Sequence, residues 1–139
     1  MTPTASAQPT VTLRGALTAG LTGGLVAAVV NAVIYFAAQS LNGGPLVVEA
    51  GASPQPLSLV AVLLFSVLPG LVAGLIYWIL ARFTRRPARW FLVLSALVLV
   101  GFFFGPLGAA SGAVAVWALE LMHLGTAAPI LWALLRRRG

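Results

Sequence analysis

Long apolar runs separated by short polar breaks organise this chain. Residues 1–14 open with "MTPTASAQPTVTL", a Pro/Thr/Ser-rich stretch too poor in apolar residues to fold alone, and read as a disordered tail. The first apolar run, 15–39, is long enough to cross a bilayer, which takes about 20 residues of helix. "YFAAQS" at its end loosely resembles a signal-peptide cleavage site. A signal core spans only about 7–15 residues, so the run is taken as a true helix.

The break at 40–56, "SLNGGPLVVEAGASPQP", is rich in Gly and Pro and carries Glu49. It reads as an extramembrane loop with room for a short extended piece at "LVVEA". A second run over 58–81 follows, with Ser58 as its cap and Pro69 inside it. Proline is tolerated within membrane helices, and a kink is expected there.

Between Arg89 and Arg136 the only acid or base besides the lone histidine, His123, is Glu120. As one straight helix, that stretch would reach roughly 69 Å, more than twice the hydrocarbon thickness. It must fold back, and "GPLGAASG" at 105–112 is the reversal, giving runs at 90–106 and 112–135. The expected architecture is therefore all-α, a four-transmembrane-helix bundle over 15–135 with a basic tail at 136–139.

Composition agrees with that solvent. Of 139 residues, 60% are hydrophobic and 7% charged, whereas a soluble domain carries roughly a quarter charged residues. Mean hydropathy is +1.05. With no cysteine, disulfides, thiolate zinc sites and iron–sulfur clusters are excluded.

The net charge of +6 would suit nucleic acid, but its placement points to lipid. Every base is arginine: Arg14, then Arg82, Arg85, Arg86 and Arg89, then Arg136, Arg137 and Arg138. They flank apolar runs and are not interleaved with aromatics as in a single-strand binder, so no nucleic-acid partner is expected. Four crossings place all of them on one face, and the positive-inside rule makes both termini cytoplasmic. Trp78, Trp90 and Trp132 then fall near the same interface, with Tyr35 and Trp117 towards the outer one. The bilayer is the first expected partner, the arginines touching its phosphates.

Helices in lipid associate through close backbone approach and interhelical hydrogen bonds. Small and polar residues share stripes: Gly20, Gly24, Ala27, Asn31 and Tyr35 in the first run; Ser66, Gly70, Ala73 and Tyr77 in the second; Ala113, Glu120, His123 and Ala127 in the fourth. Glu120 falls about 12 Å below the 112 end, with His123 deeper. Asn31, Ser66, Glu120 and His123 are expected to converge as a buried polar cluster.

An ionised side chain at mid-bilayer costs about 2.5–3.5 kcal/mol on insertion scales, and Arg136 is about 24 Å from Glu120 along the helix. Glu120 is thus either neutral or paired with a protonated His123. Two roles follow: a polar clasp between helices, or a proton-coupled site in a small transporter. Glu-x-x-His is also the spacing of di-iron bundles, but those need two copies and further carboxylates, so no metal and no cofactor is expected. Nucleophilic catalysis has neither a second base nor an elbow motif, and no enzyme is expected. A homodimer or another membrane protein is the remaining partner class.

The order of "LLFSVLPGLVAGL", an arginine-rich loop, "FFFGPLGAASG" and "LMHLGTAAPI" resembles a family of uncharacterised four-helix membrane proteins from actinobacteria and related bacteria. The resemblance covers about residues 15–135, and Pro69 and Met122–His123 are its most specific positions. It implies the four-helix topology and a bacterial plasma membrane, without an activity. It also implies that an acid at Glu120 is not required, leaving His123 the commoner polar element. Small multidrug exporters share the size and the single membrane glutamate, but carry it in the first helix.

Overall fold

The computed structural model describes residues 11–50, 53–105, 108 and 110–136. Among them are four helices, α1 (Leu13–Asn42), α2 (Leu59–Phe83), α3 (Pro87–Phe103) and α4 (Ala113–Leu135). Between α1 and α2 lies a hairpin of β1 (Val47–Ala50) and β2 (Ser53–Pro56). Most of the expected N-terminal tail, residues 1–10, lies outside the described residues, as do Arg137 and Arg138.

Local chemistry sets the helix ends. The Thr12 hydroxyl accepts the Gly15 N–H at 3.1 Å, so α1 starts slightly before the apolar run does. It ends at Gly43, whose φ of 69° is the left-handed cap that glycine adopts without strain. Ser58 caps α2 by accepting the Ala61 N–H at 3.1 Å. Pro87 stands in the first turn of α3, where its missing N–H costs nothing. α2 runs unbroken through Pro69, and α4 through Pro129.

α1, α2 and α4 are long and apolar enough to cross a membrane. α3, with 17 residues, reaches only about 25 Å against a hydrocarbon core of about 30 Å. Phe91 is its one buried residue among those described. Gly20 packs on Gly70 and Ala16 on Gly74, while Asn31 meets Thr126 and Gly23 packs on Ile130, so α1 runs antiparallel to α2 and α4. Phe102 stacks on His123 while Phe91 clusters with Leu134, so α3 runs antiparallel to α4. Arg14, Arg82, Arg85, Arg86, Arg89 and Arg136 thus gather at one end of the bundle and the hairpin sits at the other. The guanidinium groups of Arg82 and Arg136 lie over Trp78 and Trp132, at 4.8 and 5.0 Å from the ring centroids.

α1 is the centre of the packing, against α2 on one side and α4 on the other. Its glycines permit this. A Cβ at Gly20 would overlap the Gly70 carbonyl oxygen, and one at Gly23 would stand 2.7 Å from the Ile130 Cα. A Cβ at Gly74 would come within 2.6 Å of the Ala16 carbonyl oxygen. These backbones touch without intervening side chains, the close approach that stabilises helix pairs in lipid through dispersion.

Two apolar clusters fill the ends of the bundle. One joins Tyr35, Ala38, Leu46, Val62, Ala115, Ala118 and Met122 under the hairpin. The other joins Ala19, Tyr77, Phe91, Ile130 and Leu134 towards the arginine end, with Tyr77 and Phe91 edge to face at 5.3 Å.

The hairpin turns the expected loop into a docked cap. Its strands pair antiparallel, Val47 opposite Pro56 and Val48 opposite Gln55. Leu46 is fully buried beneath it, and the Leu57 N–H donates to the Leu46 carbonyl at 2.7 Å. Tyr35 of α1 donates its hydroxyl to the Leu57 carbonyl at 3.0 Å, and the Ser111 N–H donates to the Val47 carbonyl at 3.1 Å. One side-chain hydroxyl and one backbone bond thus tie the cap to α1 and to the start of α4.

Candidate functional site

Asn31 lies midway along α1, between the two apolar clusters, and is 2% exposed. Gly20 and Gly24 let the α2 backbone come close and Gly23 does the same for α4, so a short side chain on α1 can reach both. The amide nitrogen donates to Ser66 Oγ of α2 at 2.9 Å, to Thr126 Oγ1 of α4 at 2.8 Å and to the Met122 carbonyl at 3.2 Å. An amide has two protons, so three acceptors at these distances share them, one bond being bifurcated. Ser66 passes the chain on, its hydroxyl donating to the Val62 carbonyl at 2.7 Å.

The other end of the amide is packed rather than bonded. Asn31 Oδ1 is buried with no hydrogen-bond partner and lies against Gly125, where a Cβ would overlap it. Gly125 is therefore what allows Asn31 to sit this deep between α1 and α4. The result is a three-helix node: one amide spanning α1, α2 and α4, walled by small residues.

Of the four residues expected to converge, Asn31 and Ser66 are in direct hydrogen bond, and Glu120 and His123 bond to neither. Helical geometry explains the separation. At 3.6 residues per turn, Glu120 points about 120° around the axis from Thr126, and His123 about 60°. Ala115, Ala118 and Met122 of α4 pack in one cluster with Tyr35 and Ala38 of α1, and Thr126 bonds Asn31, so the bonded face is the one Thr126 shares with Met122.

His123 is half-buried on the α3 side, its ring stacked on Phe102 at 5.7 Å with 24° between the planes. Nδ1 lies 2.7 Å from the Leu119 carbonyl oxygen. A carbonyl only accepts, so Nδ1 carries a proton, and Nε2 is the acceptor of the neutral ring.

Glu120 is 5% exposed, and neither carboxylate oxygen has a hydrogen-bond partner. Buried polar side chains are satisfied in the large majority of cases, so two unpartnered oxygens on one buried carboxyl call for an explanation. Among the described residues no three His, Cys, Asp or Glu side chains gather as a metal site.

The flanking arginines occupy the bundle end opposite this carboxyl. Sequence reasoning missed Thr126 and the Met122 carbonyl. Thr126 follows Gly125 directly, and a hydroxyl beside a glycine in an apolar helix is the signal that marks it.

The chain belongs to the family of unknown function DUF6069, which matches residues 11–139. No curated protein and no solved structure matches it.

Proposed function

We propose that this is a non-enzymatic, multi-pass protein of the bacterial plasma membrane, with both termini cytoplasmic, that acts by assembling with a second copy or another membrane protein. The observation that carries this reading is the Asn31 node. The best-placed polar side chain of the bundle has its amide protons directed at Ser66, Thr126 and the Met122 carbonyl, which is what a clasp between helices does. The arginine-rich end supports the orientation through the positive-inside rule.

A second reading, a small proton-coupled transporter working as a dimer, is favoured by one specific observation: Glu120 is buried and unpartnered. Ionisable residues within membrane spans commonly mark proton or substrate paths.

Reconstitution separates the two. Purified protein in liposomes with an imposed pH gradient is expected to leave the gradient intact, and Glu120→Gln to behave as the parent does. Under the first reading, in-membrane cross-linking gives a discrete complex that Asn31→Leu weakens. Dissipation of the gradient by the parent protein, abolished in Glu120→Gln, would overturn the first reading in favour of the second.

A further inference from the structure

Glu120 presents two closed-off oxygens in the middle of an apolar helix, and the identity of their ligand can be argued by elimination. A metal ion needs several donors, about six oxygens for the hard cations, and no three His, Cys, Asp or Glu side chains gather here among the described residues. An organic cation needs an opening around the carboxylate, and Glu120 is 5% exposed. A proton needs one oxygen and no space, and it removes the charge that burial penalises.

We propose that Glu120 is an exchangeable-proton site, and that His123 Nε2 is the relay through which its proton enters and leaves. The geometry of His123 supplies the second half. Its Nδ1–H is committed to the Leu119 carbonyl, and the stack on Phe102 fixes the ring plane, so Nε2 is the atom free to exchange. His123 follows Glu120 by one turn of α4, a spacing that puts Cβ atoms about 5–6 Å apart. It is half-buried beside Phe102 of α3 whereas Glu120 is closed, and so is the more accessible of the two.

The step balances. Nε2 takes a proton from outside and becomes imidazolium, then releases it to a Glu120 carboxylate oxygen. The ring returns to its neutral Nδ1–H form, and two opposite charges are replaced by two neutral groups in a medium that penalises separated charge. The other titratable groups on the packed elements stand apart. Tyr35 of α1 has its hydroxyl on the Leu57 carbonyl, Tyr77 of α2 belongs to the cluster at the arginine end, and α3 brings only Arg89, in its first turn.

The proposal deepens the proton-coupled reading and rests on its assignment of Glu120, yet it can stand without transport. The chain has only two acidic side chains, Glu49 and Glu120, so infrared spectroscopy of the full-length protein in lipid bilayers can assign a carboxylic-acid C=O band cleanly. That band is expected to be lost in Glu120→Gln and kept in Glu49→Gln. It should move on transfer to D2O. In His123→Phe, which keeps an aromatic ring for Phe102, the band should persist while its deuterium exchange slows tenfold or more. His123→Gln gives the same readout should the phenylalanine variant lose its amide I helix signature.

A Glu120-dependent band absent at every pH would overturn the site. Exchange as fast without His123 as with it would overturn the relay. The band with normal His123 dependence, alongside intact pH gradients in liposomes, would uphold the site and remove transport instead.

Discussion

Asn31 of α1 and Thr126 of α4 meet at 2.8 Å, a hydrogen bond between residues 95 positions apart, and the same amide reaches Ser66 of α2 at 2.9 Å. Interhelical hydrogen bonds in membranes are worth about 0.6 kcal/mol on average and up to about 1.7. Asn31→Leu removes the shared amide from all three acceptors and places a branched tip against Gly125. The expected cost is about 1–2 kcal/mol, read as a lower unfolding midpoint in mixed micelles. An unchanged midpoint would mean that the node holds nothing together.

Gly125 and Asn31 should be energetically coupled. In Gly125→Ala the new methyl overlaps Asn31 Oδ1, an atom held by the bonds of its own amide, so the side chain must shift and lose part of them. In an Asn31→Ala background the same substitution meets no oxygen, and alanine's better helix propensity, about 1 kcal/mol over glycine, should appear instead. A double-mutant cycle should return about 0.5–1 kcal/mol or more of coupling, within the range found for residues in contact. Additive effects would contradict this packing.

The small-residue stripe of α1 was legible because Gly20, Gly24, Ala27, Asn31 and Tyr35 recur at helical spacing, and all five are buried. The facing surface of α4 was not. Its three polar side chains, Glu120, His123 and Thr126, spread over about 120° of the helix, so they do not single out one inner face. Ala113 and Ala127 placed Glu120 on a plausible inner stripe, while Ala115, Ala118 and Gly125 offered the closer approach to α1. Pairing of 53–56 with 47–50 was hidden for another reason: Pro54 and Pro56 argue against a strand, and are tolerated because in a two-stranded sheet each strand is an edge.

Glycines in this bundle divide by what lies over them. Gly20→Ala drives a methyl into the Gly70 carbonyl, backbone that cannot rotate away, so α1 and α2 must separate. Overpacking of this kind costs about 1–3 kcal/mol. Gly101→Ala on α3 meets nothing within 4 Å and should be neutral or gain up to about 1 kcal/mol from helix propensity. Thermal unfolding of the two variants side by side checks the contrast, and equal losses would refute it.

Tyr35 tests whether the hairpin is fastened or merely adjacent. Its hydroxyl donates to the Leu57 carbonyl and accepts from Gln39 Nε2 at 2.8 Å, while its ring packs in the apolar cluster. Tyr35→Phe keeps the ring and deletes both bonds, at about 1 kcal/mol each at most. Global stability should fall little. Backbone amide exchange over residues 46–57 should rise severalfold, with that of α1 and α2 unchanged. Protection equal to the parent's would show that burial of Leu46 alone seats the cap.

Glu120 offers the sharpest stability test because its expected sign is unusual. Replacing a buried polar group by an apolar one of similar size is neutral or stabilising when that group has no partner, and destabilising when it has one. Both Glu120 oxygens are unpartnered, so Glu120→Leu should raise the unfolding midpoint by the equivalent of about 1 kcal/mol or more, with Glu120→Gln nearer the parent. His123→Leu is the contrasting case, since it removes the bond to Leu119 and the stack on Phe102, and should lower the midpoint. Were Glu120→Leu destabilising by as much as His123→Leu, the carboxyl would have to be engaged in bonds that hold the bundle together. Its place would then be with the Asn31 clasp rather than with an exchangeable proton.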